Sequence, residues 1–232
     1  MNAFWIQSTN VGDTLTPVIV EHFTGVKLKH VPETHEGKLI GIGSTMLAIR
    51  PGDTIWGTGI MRDSDTFPLA SQSRFLAVRG RLTERILGRD VGVYGDPALL
   101  LSLMHKPDTT KKYKVGVIPH YAERQEPGLA QLSKEVDYKI INVNLPWQEF
   151  VDEVVSCENI VSSSLHGIVI AESYGIPATW MKLTDKVAGD GFKFRDYLTG
   201  TGREIQEPGK FPPIPNLKEI QDGLLKALSN LT

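Results

Sequence analysis

The stretch Asn159-Ile160-Val161-Ser162-Ser163-Ser164-Leu165-His166-Gly167-Ile168-Val169-Ile170-Ala171-Glu172-Ser173-Tyr174-Gly175-Ile176-Pro177 decides the fold class. A short apolar run over residues 160–163 breaks at consecutive serines. Residues 166–174 then take helical spacing until Gly175 and Pro177 stop them, and a second apolar run follows over 177–182. Strand, hydroxyl-rich turn, helix and strand in that order are the sequence form of a parallel sheet covered by helices.

The same rhythm extends to both sides. Upstream, residues 114–119 and 139–143 read as strands and 147–156 as a helix. Downstream lie a glycine-rich segment over 189–202, a proline cluster from Pro208 to Pro215, and a helix over 217–228 capped by Asn216. The polar, proline-containing stretch over 101–113 interrupts the pattern and reads as a linker, with a boundary near Lys111. Before it, strands are expected at 3–7, 26–31, 39–43, 54–57, 75–78 and 91–94. Helices are expected at 14–22, capped by Asp13, and at 81–87, closed by Gly88. The expected fold is therefore α/β, with two open parallel sheets in domains 1–110 and 111–232 that face a cleft.

Composition agrees. With 41% hydrophobic and 22% charged residues, the chain falls outside the disordered and fibrous classes. At 232 residues it is long enough to bury about 70% of its surface without staples. A formal charge of −2 provides no global basic field for nucleic acid, so an anionic ligand needs a local basic site. The single cysteine, Cys157, excludes an internal disulfide and reads as a small apolar residue. No basic leader or long apolar run is present, which predicts a cytoplasmic chain that does not span a membrane.

In open parallel sheets, ligands bind beyond the carboxyl ends of the strands. The residues at those ends are Asn10 and Asp13, Gly57-Thr58-Gly59, Arg79-Gly80-Arg81, Gly95-Asp96-Pro97, His120, and Ser162-Ser163-Ser164-Leu165-His166-Gly167. Glycine at such turns admits close backbone approach, and the first N–H groups of the following helix favour an anion. Asp96 before Pro97 reads as a turn former. His166, between three serines and a glycine where a helix begins, is the leading functional residue. Neither a third-glycine dinucleotide fingerprint nor a Walker A sequence occurs, and the histidines lack a ligand-like spacing, so no metal site is expected.

Taken together, Asn10-Val11-Gly12-Asp13, Arg79-Gly80 with Leu82-Thr83, Gly95-Asp96-Pro97-Ala98, Gly116-Val117-Ile118-Pro119-His120-Tyr121, Ser163-Ser164-Leu165-His166-Gly167, and Glu172 with Gly175-Ile176-Pro177 resemble the polysaccharide pyruvyl transferase family. The six motifs stand in order across most of the chain. The resemblance implies a glycosyltransferase-B-like pair of Rossmann-like units. It also implies transfer of pyruvate from phosphoenolpyruvate to two hydroxyls of a sugar as a cyclic ketal. The acceptor would be an exopolysaccharide or its lipid-linked repeat unit, which would bring the enzyme to the inner membrane face. Phosphoenolpyruvate is then a co-substrate and no cofactor is called for. Oligomeric state stays open.

Carried onto this sequence, the resemblance places Arg79 and Leu165-His166-Gly167 around the donor. Ser164 stands where the family often has a second arginine, so His120, Lys193 or Arg195 must supply that charge. His166 and His120 are the acid–base candidates, and Asp13 or Glu172 the acceptor-side base. Asn10, Ser163 and Ser164 complete the expected binding set. Two other readings compete: a nucleotide-sugar glycosyltransferase, and a non-catalytic carbohydrate-binding protein of an assembly complex.

Overall fold

The computed structural model describes residues 1–108, 110–132, 134 and 136–231. It is an α/β structure with two five-stranded sheets. The first sheet holds β1 (Asn2–Phe4), β2 (Lys29–His30), β3 (Leu39–Ile40), β4 (Thr54–Trp56) and β5 (Arg74–Ala77), in the order β2-β1-β3-β4-β5 with every pair parallel. The second holds β6 (Tyr113–Ile118), β7 (Tyr138–Ile140), β8 (Cys157–Ser162), β9 (Ala178–Trp180) and β10 (Gly209–Lys210), in the order β10-β9-β8-β6-β7. Only its β10–β9 pair is antiparallel. In both sheets the chain steps outward once, returns past its starting strand, and continues the other way. Each sheet therefore has a switch point, between β1 and β3 and between β6 and β8.

The helices are α1 (Val11–Thr24), α2 (Arg81–Leu87), α3 (Leu101–Met104), α4 (Pro127–Leu132), α5 (Trp147–Val155), α6 (Leu165–Ser173), α7 (Phe192–Gly200) and α8 (Leu217–Leu228). Helices α2 and α8 begin and end where the sequence places them, with Gly88 left-handed after α2 and Asn216 accepting from Glu219 N–H. Among the described residues, no helix is long and apolar enough to cross a membrane.

Several expectations are corrected. Helix α1 starts three residues early, because Asn10, not Asp13, takes the extended capping conformation and accepts from Gly12 N–H. The strand expected at 91–94 is a single bridge, Val78 to Tyr94. The glycine-rich segment contains α7, since Gly191 ends the turn before it and residues 192–198 supply large buried side chains. The linker stretch begins with α3, and Thr109 within it lies outside the described residues.

Side-chain alternation along the first sheet explains its burial. Leu39, Trp56 and Ala77 join a core that also takes in Ile118, Ile160 and Ile168 of the second half. Their neighbours Ile40, Ile55 and Val78 face a separate cluster on the opposite side. Helix α8 returns to the first half, where Leu224 O accepts from Trp56 Nε1 at 3.1 Å and Gln221 Nε2 donates to Leu99 O at 2.7 Å.

Lys38 and Asp53 form a fully buried ion pair at 2.6 Å beside β3 and β4. Lys38 Nζ also donates to His35 O and Ala48 O, and Asp53 accepts from the backbone N–H groups of Lys38 and Arg50. Removing one partner leaves the other charge buried and uncompensated. Lys38→Met should therefore cost about 3–5 kcal/mol in urea unfolding. Lys27→Met, which breaks the exposed pair with Glu21, should leave the midpoint unchanged.

Candidate active site

The two switch points face one another across a cleft of about 460 Å³. From the first sheet come the loop after β1, with Ser8, Asn10 and Asp13, and the turn after β3, with Gly43 and Ser44. From the second come His120 and Arg124 after β6, and Ser164, Leu165 and His166 after β8. Lys193, in the first turn of α7, lies in the same cleft, and Lys186 and Asn144 join its lining.

Local structure aims these groups. Ser162 Oγ pins the turn after β8 by donating within it and accepting from Ser164 N–H at 2.9 Å. Helix α6 then begins at Leu165 with no side-chain cap on its first N–H groups. An uncapped helix start offers donors and the positive end of the dipole to an anion. Val11 N–H, at the start of α1, donates to Val143 O in the loop after β7, and α1 meets α6 closely, since a Cβ on Gly12 would lie 1.9 Å from His166 Nδ1. Only glycine leaves the His166 ring its place. Asp13 is oriented by Ser8, whose hydroxyl donates to its Oδ2 at 2.7 Å.

Lys193 dominates the electrostatics. It is buried, and among the described residues its Nζ has no hydrogen-bonding or ionic partner. Burial, and then the neighbouring Arg79 charge, lower its pKa to about 8, with Asp13 and Glu123 acting against them. His120 is lowered to about 4, first by burial and then by Lys193. At neutral pH it is uncharged. Its Nδ1 accepts from Ala122 N–H, so the neutral ring carries its proton on Nε2. His120 is thus a hydrogen-bond donor to the cleft rather than an acid, which corrects its expected titration near neutrality.

Five other assignments change. Arg79 does not reach the cleft: its guanidinium is fully buried, with Nε on Asp196 at 2.9 Å, Nη2 on Ile60 O and Nη1 on Ser44 Oγ. Glu172 is buried too, held by both terminal nitrogens of Arg203 at 2.6 and 3.0 Å and by the Tyr197 hydroxyl, so it is no free base. Arg195 lines a separate depression of about 550 Å³ beyond β9, donating to Asp190 O. Ser163 accepts from His120 N–H, and Gly167 packs over Ser162 Oγ, so both act through their neighbours. Of the three residues offered for the missing charge, only Lys193 brings a cation to the His166 cleft.

Sequence reasoning missed Ser44, Arg124 and Lys186. Arg124 stands in the loop after β6 and was within reach of the strand-end rule. Ser44 and Lys186 carry no motif and enter the cleft only through tertiary packing. Because Arg79 ties two elements together rather than meeting solvent, Arg79→Met should cost about 3–5 kcal/mol in urea unfolding. An unchanged midpoint would show that the pair does not hold α7 in place.

The model of the family described as polysaccharide pyruvyl transferase matches residues 50–183, more than half of the chain. An uncharacterized protein of Acanthamoeba polyphaga mimivirus is 29% identical over 222 residues, which cover 90% of this chain and 76% of that protein. The matched span carries the strand-end segments around Gly95-Asp96-Pro97, His120 and Ser164-Leu165-His166 that line or flank the cleft. On this match the chain belongs to the polysaccharide pyruvyl transferase family.

Proposed function

We propose that the cleft moves pyruvate from phosphoenolpyruvate onto two hydroxyls of a sugar in an exopolysaccharide or its lipid-linked repeat unit, forming a cyclic ketal and releasing phosphate. The observation that carries this reading is Lys193, a buried cation with no hydrogen-bonding or ionic partner among the described residues, in the same cleft as His166 and the uncapped start of α6. Phosphoenolpyruvate has a carboxylate and a phosphate, and a buried cation with convergent N–H groups answers both. Arg124 and Lys186 add positive charge at the mouth, the latter also bridged to Glu126.

On this reading the two sheets form a glycosyltransferase-B-like pair. Residues 111–232 make the donor side, and 1–110 the acceptor side with Asn10 and Asp13. Protonation of the methylene carbon by His166 makes the second carbon electrophilic. A sugar hydroxyl bonds there as its proton passes to Asp13, phosphate leaves with the C–O electron pair, and the neighbouring hydroxyl closes the ketal with loss of its proton. Ser44, held by Arg79, and neutral His120 supply hydrogen bonds along the cleft. The reaction needs no cofactor.

Phosphoenolpyruvate should raise the melting temperature of the protein, by about 2.7 kcal/mol of stabilisation at a hundredfold excess over Kd. Lys193→Met should abolish the shift and Arg195→Met should keep it. Uridine diphosphate should give none, and a shift with that nucleotide alone would favour glycosyl transfer. The sign of the pH dependence follows from Lys193. With a pKa of about 8 in the folded protein it is charged at pH 7 and loses its charge above that value. Calorimetric titration between pH 7 and 9 should therefore show affinity falling as pH rises, by up to about tenfold per unit.

A further inference from the structure

We infer that Asp96 is a positioning residue for His166: it holds the proton of the neutral imidazole on Nε2 and turns Nδ1 toward the cleft as the nitrogen that exchanges protons. A turn-forming aspartate uses one oxygen, and Asp96 Oδ1 does this by accepting from Ala98 N–H at 2.9 Å at the start of the turn Pro97–Leu100. That role leaves Oδ2 unexplained. Asp96 is fully buried, and Oδ2 makes no hydrogen bond among the described residues.

His166 Nε2 is in the same condition. It is buried, makes no hydrogen bond among the described residues, and lies 3.4 Å from Asp96 Oδ2. Two buried polar atoms left without partners are each costly, and a proton on Nε2 satisfies both at once. The opposite tautomer would set a nitrogen lone pair against a carboxylate oxygen. Nδ1 is not among the buried orphan atoms of the described residues; it packs beside Gly12, on a ring that itself lines the cleft. The Tyr197 hydroxyl, which also feels the Asp96 charge, is engaged with Glu172. The two partners come from opposite halves of the chain, so the pair forms only when both sheets are assembled.

The consequence for the reaction rests on the pyruvyl-transfer reading: the imidazolium delivers its proton from Nδ1 and stays paired through Nε2. The geometry itself is tested without donor or acceptor. Long-range proton–nitrogen NMR of protein labelled with ¹⁵N-histidine reports the tautomer, and His166→Gln assigns the signal. The neutral wild-type ring should carry its proton on Nε2. Asp96→Asn keeps an oxygen for Ala98 N–H and presents its amide to the ring, so it should move the proton to Nδ1. A wild-type proton on Nδ1, or the same tautomer in Asp96→Asn as in the wild type, would overturn the assignment. If Asp96→Asn does not fold, the wild-type tautomer decides alone. Should phosphoenolpyruvate fail to bind while the Nε2 proton is found, the donor reading falls and the pairing stands.

Discussion

The rest of the site depends on one buried ion pair, Arg79 with Asp196. Arg79 follows β5, and Asp196 lies in the middle of α7, 117 residues later. Asp196 is saturated, since Thr83 donates to it through both N–H and hydroxyl. Such a pair is tolerable in a dry interior only when further hydrogen bonds support it, and here every guanidinium nitrogen and both carboxylate oxygens have a partner. The backbones must also approach closely: a Cβ on Gly80 would lie 1.8 Å from Asp196 O, and one on Gly200 would lie 1.9 Å from Arg79 O. Glycine at these two positions lets α7 seat against the first sheet.

Seating α7 in this way places Lys193, one turn before Asp196, in the cleft. The two cations then divide the work. Arg79 holds the structure and is paired with Asp196, whereas Lys193 is buried with no hydrogen-bonding or ionic partner among the described residues, its charge disfavoured by burial and by Arg79. A cation held in that state binds an arriving anion without first giving up an ion pair, which is how preorganised sites reduce the cost of binding. The neighbouring depression beyond β9 has the opposite character. Glu123, Asp185, Asp190 and Glu207 outnumber Lys182 and Arg195 there, so the two hollows differ in the charge they favour.

Much of the fold was legible because it rests on local chemistry. Apolar runs ending at glycine or serine gave most strands to within a few residues, and Gly88 and Asn216 gave the ends of α2 and α8. The boundary of α1 was misread because Asn10 and Asp13 are both good caps and only backbone conformation chooses between them. Helix α7 was hidden because glycine and polar residues at 189–202 resemble a loop, and its helicity comes from burying Phe192, Phe194, Tyr197 and Leu198.

For the site, the sequence by itself determined the strand-end residues that the cleft gathers, Asn10, Asp13, His120, Ser164, Leu165 and His166, because a parallel sheet brings its strand ends to one edge whatever the detailed packing. It also carried the family motifs. Only the tertiary structure decided which charged groups are free. Arg79, Glu172 and Lys193 all read as polar residues available to a ligand. Partners as distant as Asp196 for Arg79 and Arg203 for Glu172 consume the first two and spare the third. Whether a charge is paired depends on what the folded chain brings within about 4 Å of it, and that neighbourhood is assembled from residues with no fixed separation in sequence.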